Sequence, residues 1–381
     1  MTAETSDLLL ACARSSLDRP SRRRIESALA ARPDWDLLLA LGGRHGLLPL
    51  MHRHLDAVEA VPAGVRARLW ARREATLARN LARARELLEV TALFEAHGIA
   101  SLPYKGPALA QALHGDVSMR EFGDLDILVA PRDVPRARDL LAARGYRPTY
   151  ALPPAAEAAL MRSPLQYHLC LEHDTLGMIE LHWKTDPDYP VERIDDPQWW
   201  GALATTPLLD ESVRAFPDEE LLAVLCIHGS KHHWTSLAWL VDVAELLRRA
   251  SIDWERLFAR AAGAGYERRL ALGLMLAARW LDAPLPQALR STLAARPDLE
   301  SLARRVADGL FDPGYEAPAT LDGLRFDLDL YESRARRLKH VAAHLASPNI
   351  SDWTRWNLPR PLAFLYAPLR VMRLSAKYLL R

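Results

Sequence analysis

Apolar residues recur at helical spacing through the first part of the chain and then give way to shorter segments. The run RARLWARREATLARNLARARELLEVTALFEAHG places apolar residues three or four positions apart, with Arg and Glu between them. This spacing predicts a long amphipathic helix. Gly98 closes the run and is typical of a helix end. We therefore predict an N-terminal helical region over residues 1–98.

A mixed pattern follows over residues 99–186. IASLPY predicts a short strand, KGPALAQALHG a turn into a helix, and DLDILVA a second strand. PRDVPRARDLLAARG predicts a helix, and YRPTYAL is a further candidate strand. QYHLCLEH and GMIELHWKT predict two strands joined by a turn. This order predicts an α+β core with a small mixed sheet.

The remainder, residues 187–381, predicts a C-terminal helical region. Residues 187–216 are rich in Pro, Asp and Trp and predict loops. From Pro217 the run PDEELLAVLCIHGSKHHWTSLAWLVDVAELLRRA predicts helix, and so do two later segments. The tail carries a basic stripe at helical spacing, formed by Arg370, Arg373, Lys377 and Arg381. A solvated helix face is the favoured interpretation; the alternative is docking on anionic lipid, RNA or an acidic partner.

Two aspartates interrupt the apolar pattern of the DLDILVA strand. Alternation places Asp124 and Asp126 on one face, with Leu125 and Ile127 on the other. Glu180 is likewise a lone acid on a strand with apolar neighbours. If the two strands are adjacent, three carboxylates converge and would suit Mg²⁺ (or Mn²⁺). The alternative is that these acids cap a turn or pair with arginines at a sheet edge.

A histidine-rich segment, CIHGSKHHW, offers a second candidate cluster. On a helix His228 and His232 share a face. One interpretation has His228, Lys231 and His232 contacting nucleotide phosphates or an acceptor, and another has the histidines packed in the core. A zinc site is the least favoured, because no further ligand is evident. His182 shares a strand face with Glu180 and could reach the acidic site, although a packed histidine is favoured slightly.

Composition narrows the class of protein. The formal net charge of +1 excludes a strong overall basic field for nucleic acid. Three widely spaced cysteines form no disulfide framework, and no signal or membrane-spanning run is evident, so we expect a cytoplasmic protein. Arginines greatly outnumber the five lysines, which hints that retained lysines such as Lys105 and Lys231 occupy positions that need a compact ammonium group.

Several segments together resemble the bacterial branch of uncharacterised nucleotidyltransferase-like proteins in the DNA polymerase β-like nucleotidyltransferase superfamily. They are YKGPALA, REFGDLDILV, ARGYRP, YHLCLEH, IELHW, HGSKHHWTSLAWLVDVAELL and RPLAFLYAPLRVMRL. The resemblance implies that Asp124 and Asp126 ligate metal and that Glu180 is the third acid. It also implies that Arg120 is a phosphate ligand; the alternative for Arg120 is a surface pair with Glu121.

One feature departs from the superfamily pattern. Lys105-Gly106-Pro107 stands where the superfamily usually has Gly-Ser or Gly-Gly, so no serine is present to hold a phosphate. Lys105 and the backbone after Gly106 could replace it at a helix N-terminus.

We therefore expect Mg²⁺-dependent transfer of a nucleoside monophosphate from an NTP to an acceptor hydroxyl. The acceptor could be a small molecule, a peptide or protein, or an RNA end. One alternative is a phosphotransferase that uses the same acidic site. A second alternative is a non-catalytic module that binds a nucleotide, a peptide or RNA.

Overall fold

The computed structural model describes residues 3–150, 152, 154–189, 193–312, 314, 320–356, 358 and 360–379. The strands are β1 (Ser101–Pro103), β2 (Asp124–Val129), β3 (Arg147–Pro148), β4 (His168–His173), β5 (Gly177–His182), β6 (Ala204–Leu208) and β7 (Glu211–Ala215). The helices are α1 (Ala3–Cys12), α2 (Arg19–Ala30), α3 (Trp35–Arg44), α4 (Leu48–Leu55), α5 (Ala63–Ala96), α6 (Gly106–His114), α7 (Val134–Ala143), α8 (Pro154–Arg162), α9 (Pro197–Gly201), α10 (Asp218–Lys231), α11 (Leu237–Arg249), α12 (Trp254–Ala264), α13 (Glu267–Leu281), α14 (Gln287–Ala294), α15 (Pro297–Leu310), α16 (Thr320–Asp329), α17 (Arg334–Ala346), α18 (Ile350–Arg355) and α19 (Tyr366–Leu379). The α+β class is confirmed.

The chain divides into two compact units that interleave along the sequence. The first unit comprises residues 1–88, 104–123 and 204–330, and the second comprises residues 89–103, 124–203 and 331–381. The division into residues 1–98, 99–186 and 187–381 stays a prediction.

The second unit contains a five-stranded mixed sheet in the order β1-β2-β5-β4-β3. The neighbouring strands β2 and β5 are parallel, while the other neighbouring pairs are antiparallel. One face is apolar and buried: Leu125, Ile127, Ile179 and Leu181 are each at most 1% exposed. This burial fixes the pairing register, since a slip of one residue would turn the apolar side chains to the opposite face.

The first unit has a helical core in which α10, α11 and α13 pack together. The predicted continuous helix from Pro217 is wrong at one point, because α10 ends at Lys231 and α11 begins at Leu237. His233 and Trp234 between them both have φ near 53°. Such left-handed backbone costs on the order of 1 kcal/mol for residues other than Gly. Full burial of the Trp234 side chain offsets this cost.

The segment at 204–215 also differs from the prediction. It forms an antiparallel hairpin of β6 and β7 rather than a loop. Pro207 lies within β6 and weakened the strand pattern, but a two-stranded sheet consists only of edge strands, where Pro is tolerated. Among the described residues, no helix combines the length and the apolar character needed to cross a bilayer.

The predicted solvated basic stripe is wrong for Arg370. This side chain is 2% exposed, and its Nη1 donates to Asp352 Oδ2 over 2.7 Å. The Nε of Arg373 donates to Asp352 Oδ1, also over 2.7 Å. The Lys377 side chain and Arg381 lie outside the described residues. The tail helix therefore uses at least two of its cations within the second unit.

Candidate active site

The polar face of the second unit's sheet carries the predicted acids. In the parallel pairing of β2 and β5, Asp126 lies opposite Glu180 and Asp124 lies opposite Met178. Because side chains alternate along a strand, both aspartates and Glu180 face away from the buried apolar layer. The adjacency that the sequence argument required is thus present. Asp126 is 4% exposed, whereas the Glu180 side chain is 20% exposed.

His182 joins these two acids. Its Nε2 lies 3.1 Å from Asp126 Oδ1 and 3.2 Å from Glu180 Oε2. An ionised carboxylate only accepts hydrogen bonds, so Nε2 must carry the hydrogen that it shares with them. The imidazole is 2% exposed and is therefore held firmly. His182 links the carboxylates of the two parallel strands and lowers the repulsion between them.

The antiparallel strand β4 extends this face. His168 lies opposite His182 and Cys170 lies opposite Glu180. His168 Nε2 is 3.8 Å from Glu180 Oε1. The rings of His168 and His182 are 5.0 Å apart, and the Tyr167 ring lies 4.2 Å from His168. Tyr167 and Cys170 were missed as site neighbours; alternation from His168 along β4 is the signal that would have placed Cys170 on this face.

Burial and the acidic charge set the ionisation of this face. Burial raises the pKa of Glu180, but the hydrogen bond from His182 and the charges of His168 and His182 outweigh it and lower the pKa overall. Burial raises the pKa of the Cys170 thiol to about 12, with the charge of Glu180 adding to the effect. The Tyr167 pKa is raised by burial and then by the charge of Glu180. At neutral pH the site therefore holds an ionised Glu180 beside a neutral thiol and a neutral phenol.

The residues best placed to share one metal ion differ in part from the predicted set. Within the described residues, the ligand atoms of His168, Glu180 and His182 all lie within 4.8 Å of one another. The sequence prediction was Asp124, Asp126 and Glu180. Glu180 belongs to both sets, and Asp126 contacts the second set through His182.

The Lys105-Gly106 turn belongs to the first unit. Lys105 is the N-cap residue of α6, and its Nζ lies 5.1 Å from the centre of the Tyr104 ring. Gly106 has φ of 59°, a left-handed conformation that favours glycine. This conformation gives a backbone reason for glycine at the start of α6.

Arg120 in the first unit is buried and bound to Asp242. Its Nε donates to Asp242 Oδ1 over 2.9 Å and its Nη2 donates to Oδ2 over 3.0 Å, with side-chain exposures of 9% and 2%. Asn80 Nδ2 donates to the Arg120 carbonyl oxygen over 2.8 Å. The alternative pairing with Glu121 is wrong, because Glu121 pairs with Arg72. Any phosphate at Arg120 would share this guanidinium with Asp242.

The histidine-rich segment lies at the end of α10. The rings of His228 and His232 meet edge to face with centres 4.7 Å apart, and the Trp239 ring lies 5.4 and 5.2 Å from them respectively. Lys231 is the last residue of α10 and is partly exposed. Trp239 also lines a pocket of about 420 Å³ to which Arg120 contributes. Trp239 thus contacts the histidine pair and lines the same pocket as Arg120.

The predicted site residues therefore fall into two groups. Asp124, Asp126 and Glu180 lie on one sheet face of the second unit, while Lys105, Gly106, Arg120, His228, Lys231 and His232 belong to the first unit.

Comparison with known proteins identifies the family of the chain. A family model described as an uncharacterised nucleotidyltransferase matches residues 31–282, more than half of the chain. Neither the curated proteins nor the solved structures give a significant match. The matched region contains β1 to β7 and both groups of predicted site residues. The chain therefore belongs to a family of uncharacterised nucleotidyltransferases.

Proposed function

We propose that this protein transfers a nucleoside monophosphate from an NTP to an acceptor hydroxyl in a reaction that depends on Mg²⁺ or Mn²⁺. One observation carries the proposal: the parallel pairing of β2 and β5 sets Asp126 opposite Glu180, with His182 bonded to both. Family membership supports nucleotidyl transfer as the reaction class.

The donor set on this face suits a divalent cation. Asp124, Asp126 and Glu180 offer carboxylate oxygens, which Mg²⁺ prefers and which commonly leave room for phosphate oxygens and water. When bound, such an ion would neutralise charge on the phosphate that is transferred and on the leaving pyrophosphate. We assign the three carboxylates to holding it.

The remaining chemistry falls to side chains around these acids. The lowered pKa of Glu180 keeps its carboxylate ionised at neutral pH, which favours a role as ligand over a role as strong base. His182 holds Asp126 and Glu180 in a fixed arrangement, so the ligands are ordered before substrate arrives. A role of Lys105, Gly106, Arg120, His228, Lys231 and His232 in phosphate binding remains a prediction.

The first test is metal-dependent nucleotide binding by calorimetry. Wild-type protein, Asp126→Asn and Glu180→Gln are titrated with ATP, GTP, CTP and UTP in Mg²⁺ or Mn²⁺. Glu89→Gln is the matched control, because it makes the same carboxylate-to-amide change at an exposed acid on helix α5, outside the sheet. We expect the wild type and the control to bind one triphosphate with the same affinity. We expect Asp126→Asn and Glu180→Gln to bind that triphosphate at least about 10-fold more weakly, since each removes a charged ligand.

The preferred triphosphate is then labelled and offered with separate pools of small metabolites, peptides and RNA. Pyrophosphate release with label in the acceptor supports nucleotidyl transfer. Release of a nucleoside diphosphate would instead indicate a phosphotransferase. Binding without turnover in any pool would favour a non-catalytic module. Absence of triphosphate binding by folded wild-type protein would contradict the proposal.

A further inference from the structure

The β4–β5 hairpin carries two imidazoles around one carboxylate. His168 and His182 lie directly opposite each other in the antiparallel pairing, and Glu180 precedes His182 by two residues on the same face. The side chains of His168, Glu180 and His182 are 18%, 20% and 2% exposed. The cluster is therefore anchored on its buried side and reachable from solvent on the other.

The spacing of the donor atoms matches a metal polyhedron. Bonds of about 2.1 Å to a tetrahedral ion place neighbouring ligand atoms about 3.4 Å apart. His182 Nε2 lies 3.2 Å from Glu180 Oε2, and His168 Nε2 lies 3.8 Å from Glu180 Oε1. One ligand atom from each of the three residues lies within 4.8 Å of the other two, so side-chain shifts on the order of 1 Å would bring all three to this spacing. Asp126 Oδ1, 3.1 Å from the same His182 nitrogen, adds a second carboxylate oxygen nearby.

From this donor set we infer that His168, Glu180 and His182 form a site for a divalent metal of the Zn²⁺ or Co²⁺ class. Imidazole nitrogens suit these ions, whereas Mg²⁺ favours oxygen ligands, and two histidines with one glutamate form a known catalytic zinc set. A metal at His182 Nε2 would take the place of the hydrogen that this nitrogen shares with the carboxylates, and the neutral ring would keep its hydrogen on Nδ1.

The inference rests on the proposed function in one respect only: it takes this sheet face as the reaction centre. It adds which metal binds there. Three protein ligands leave further coordination positions for water or a phosphate oxygen. The cluster would thus give the acidic face a metal position with nitrogen ligands, next to the oxygen donors Asp124 and Asp126.

Metal binding without nucleotide tests the inference. Metal-stripped wild-type protein is titrated with Zn²⁺, Co²⁺, Mn²⁺ and Mg²⁺ by calorimetry, and the visible absorption of Co²⁺ reports its coordination. His168→Ala is the principal variant, because the side chain is partly exposed and its loss should be tolerated; His168→Gln, which keeps most of the volume, is a second. His97→Ala is the control, since His97 directly follows α5, is exposed, and forms a hydrogen bond through Nδ1 with the carbonyl oxygen of Leu93.

We expect wild type and His97→Ala to bind one Zn²⁺ or Co²⁺ far more tightly than Mg²⁺, with an intense Co²⁺ spectrum. We expect His168→Ala and His168→Gln to weaken Zn²⁺ at least about 100-fold, the upper end of the loss expected for a residue that only orients a ligand. Mg²⁺ binding should be unchanged. Zn²⁺ binding no tighter than that of Mg²⁺, or equal Zn²⁺ affinity in His168→Gln and wild type, would overturn the inference.

These outcomes separate the inference from the proposed function. If Zn²⁺ binding depends on His168 but no triphosphate binds or reacts, the metal site stands and the transfer reaction does not. If Mg²⁺-dependent transfer occurs while the His168 variants bind Zn²⁺ like wild type, the transfer reaction stands and the proposed metal site does not.

Discussion

The buried ion pair between Arg120 and Asp242 makes a sharp prediction about stability. Both side chains are almost fully enclosed, and two hydrogen bonds of 2.9 and 3.0 Å join them. At an effective dielectric constant of about 20, charges at this separation attract by roughly 5 kcal/mol. Much of this attraction offsets the cost of removing both charges from water, so the expected loss on deleting one partner is smaller than that figure but still large.

We predict that Asp242→Asn lowers the free energy of unfolding by about 3 kcal/mol. The amide can still accept one hydrogen bond, but the buried guanidinium of Arg120 then loses the negative charge of Asp242. For a structural unit of roughly 150–250 residues this corresponds to a fall in Tm of about 6–12 °C. Thermal unfolding followed by circular dichroism measures it. The double variant Arg120→Met/Asp242→Leu should recover most of the loss, because it removes both charges.

Glu121→Gln is the matched control. It makes the same carboxylate-to-amide change in an ion pair whose partner, Arg72, is 44% exposed. Exposed pairs contribute about 1 kcal/mol or less, so the control should lower Tm by no more than about 4 °C. If Asp242→Asn shifts Tm no further than Glu121→Gln does, the reasoning about the buried pair is wrong.

Two further predictions concern the first unit. Burial, reinforced by the charge of Arg44, lowers the pKa of His45 from 6.5 to about 4, so the folded protein binds fewer protons than the unfolded chain between these values, and up to roughly 3 kcal/mol of stability should be lost as pH falls from 7 to 4. Urea unfolding midpoints at pH 7 and pH 4.5 should show a smaller loss in His45→Gln, and an equal loss would contradict the assignment. Gly229→Ala should cost about 1–3 kcal/mol in the same assay, because a Cβ there would lie 2.3 Å from the Trp234 ring. Gly263→Ala, with nothing within 4 Å of its Cβ, should be neutral or stabilising, and equal effects of the two changes would refute the packing argument.

Local patterns predicted the strands of the sheet but not which strands pair with each other. Alternation correctly separated the apolar side chains of β2 and β5 from their acids, because period two is a property of each strand alone. That β2 pairs with β5, and in which register, depends on residues far apart in sequence. From the sequence alone, the convergence of the three acids could therefore be predicted only on the condition that β2 and β5 are adjacent.

The wrong or missing predictions also have physical causes. The turn after α10 uses positive φ at His233 and Trp234, and a bulky residue such as Trp gives no warning of this conformation. The partner of Arg120 lies 122 residues away, so the adjacent Glu121 was the natural candidate from sequence. His168 became a candidate metal ligand only when the hairpin register placed it opposite His182.

The strand connectivity has a consequence for how the site is assembled. Cys170 and Glu180, which face each other across the β4–β5 hairpin, are only 10 residues apart, whereas His182 and Asp126 are separated by 56. Closing a short hairpin loses less chain entropy than the parallel pairing, which must bring distant strands together. His168, Glu180 and His182 can thus reach their final spacing before Asp126 arrives. In this order of folding, the β4–β5 hairpin forms first and β2 then pairs with β5. Asp124 and Asp126 would therefore be added to a cluster of ligands that is already formed.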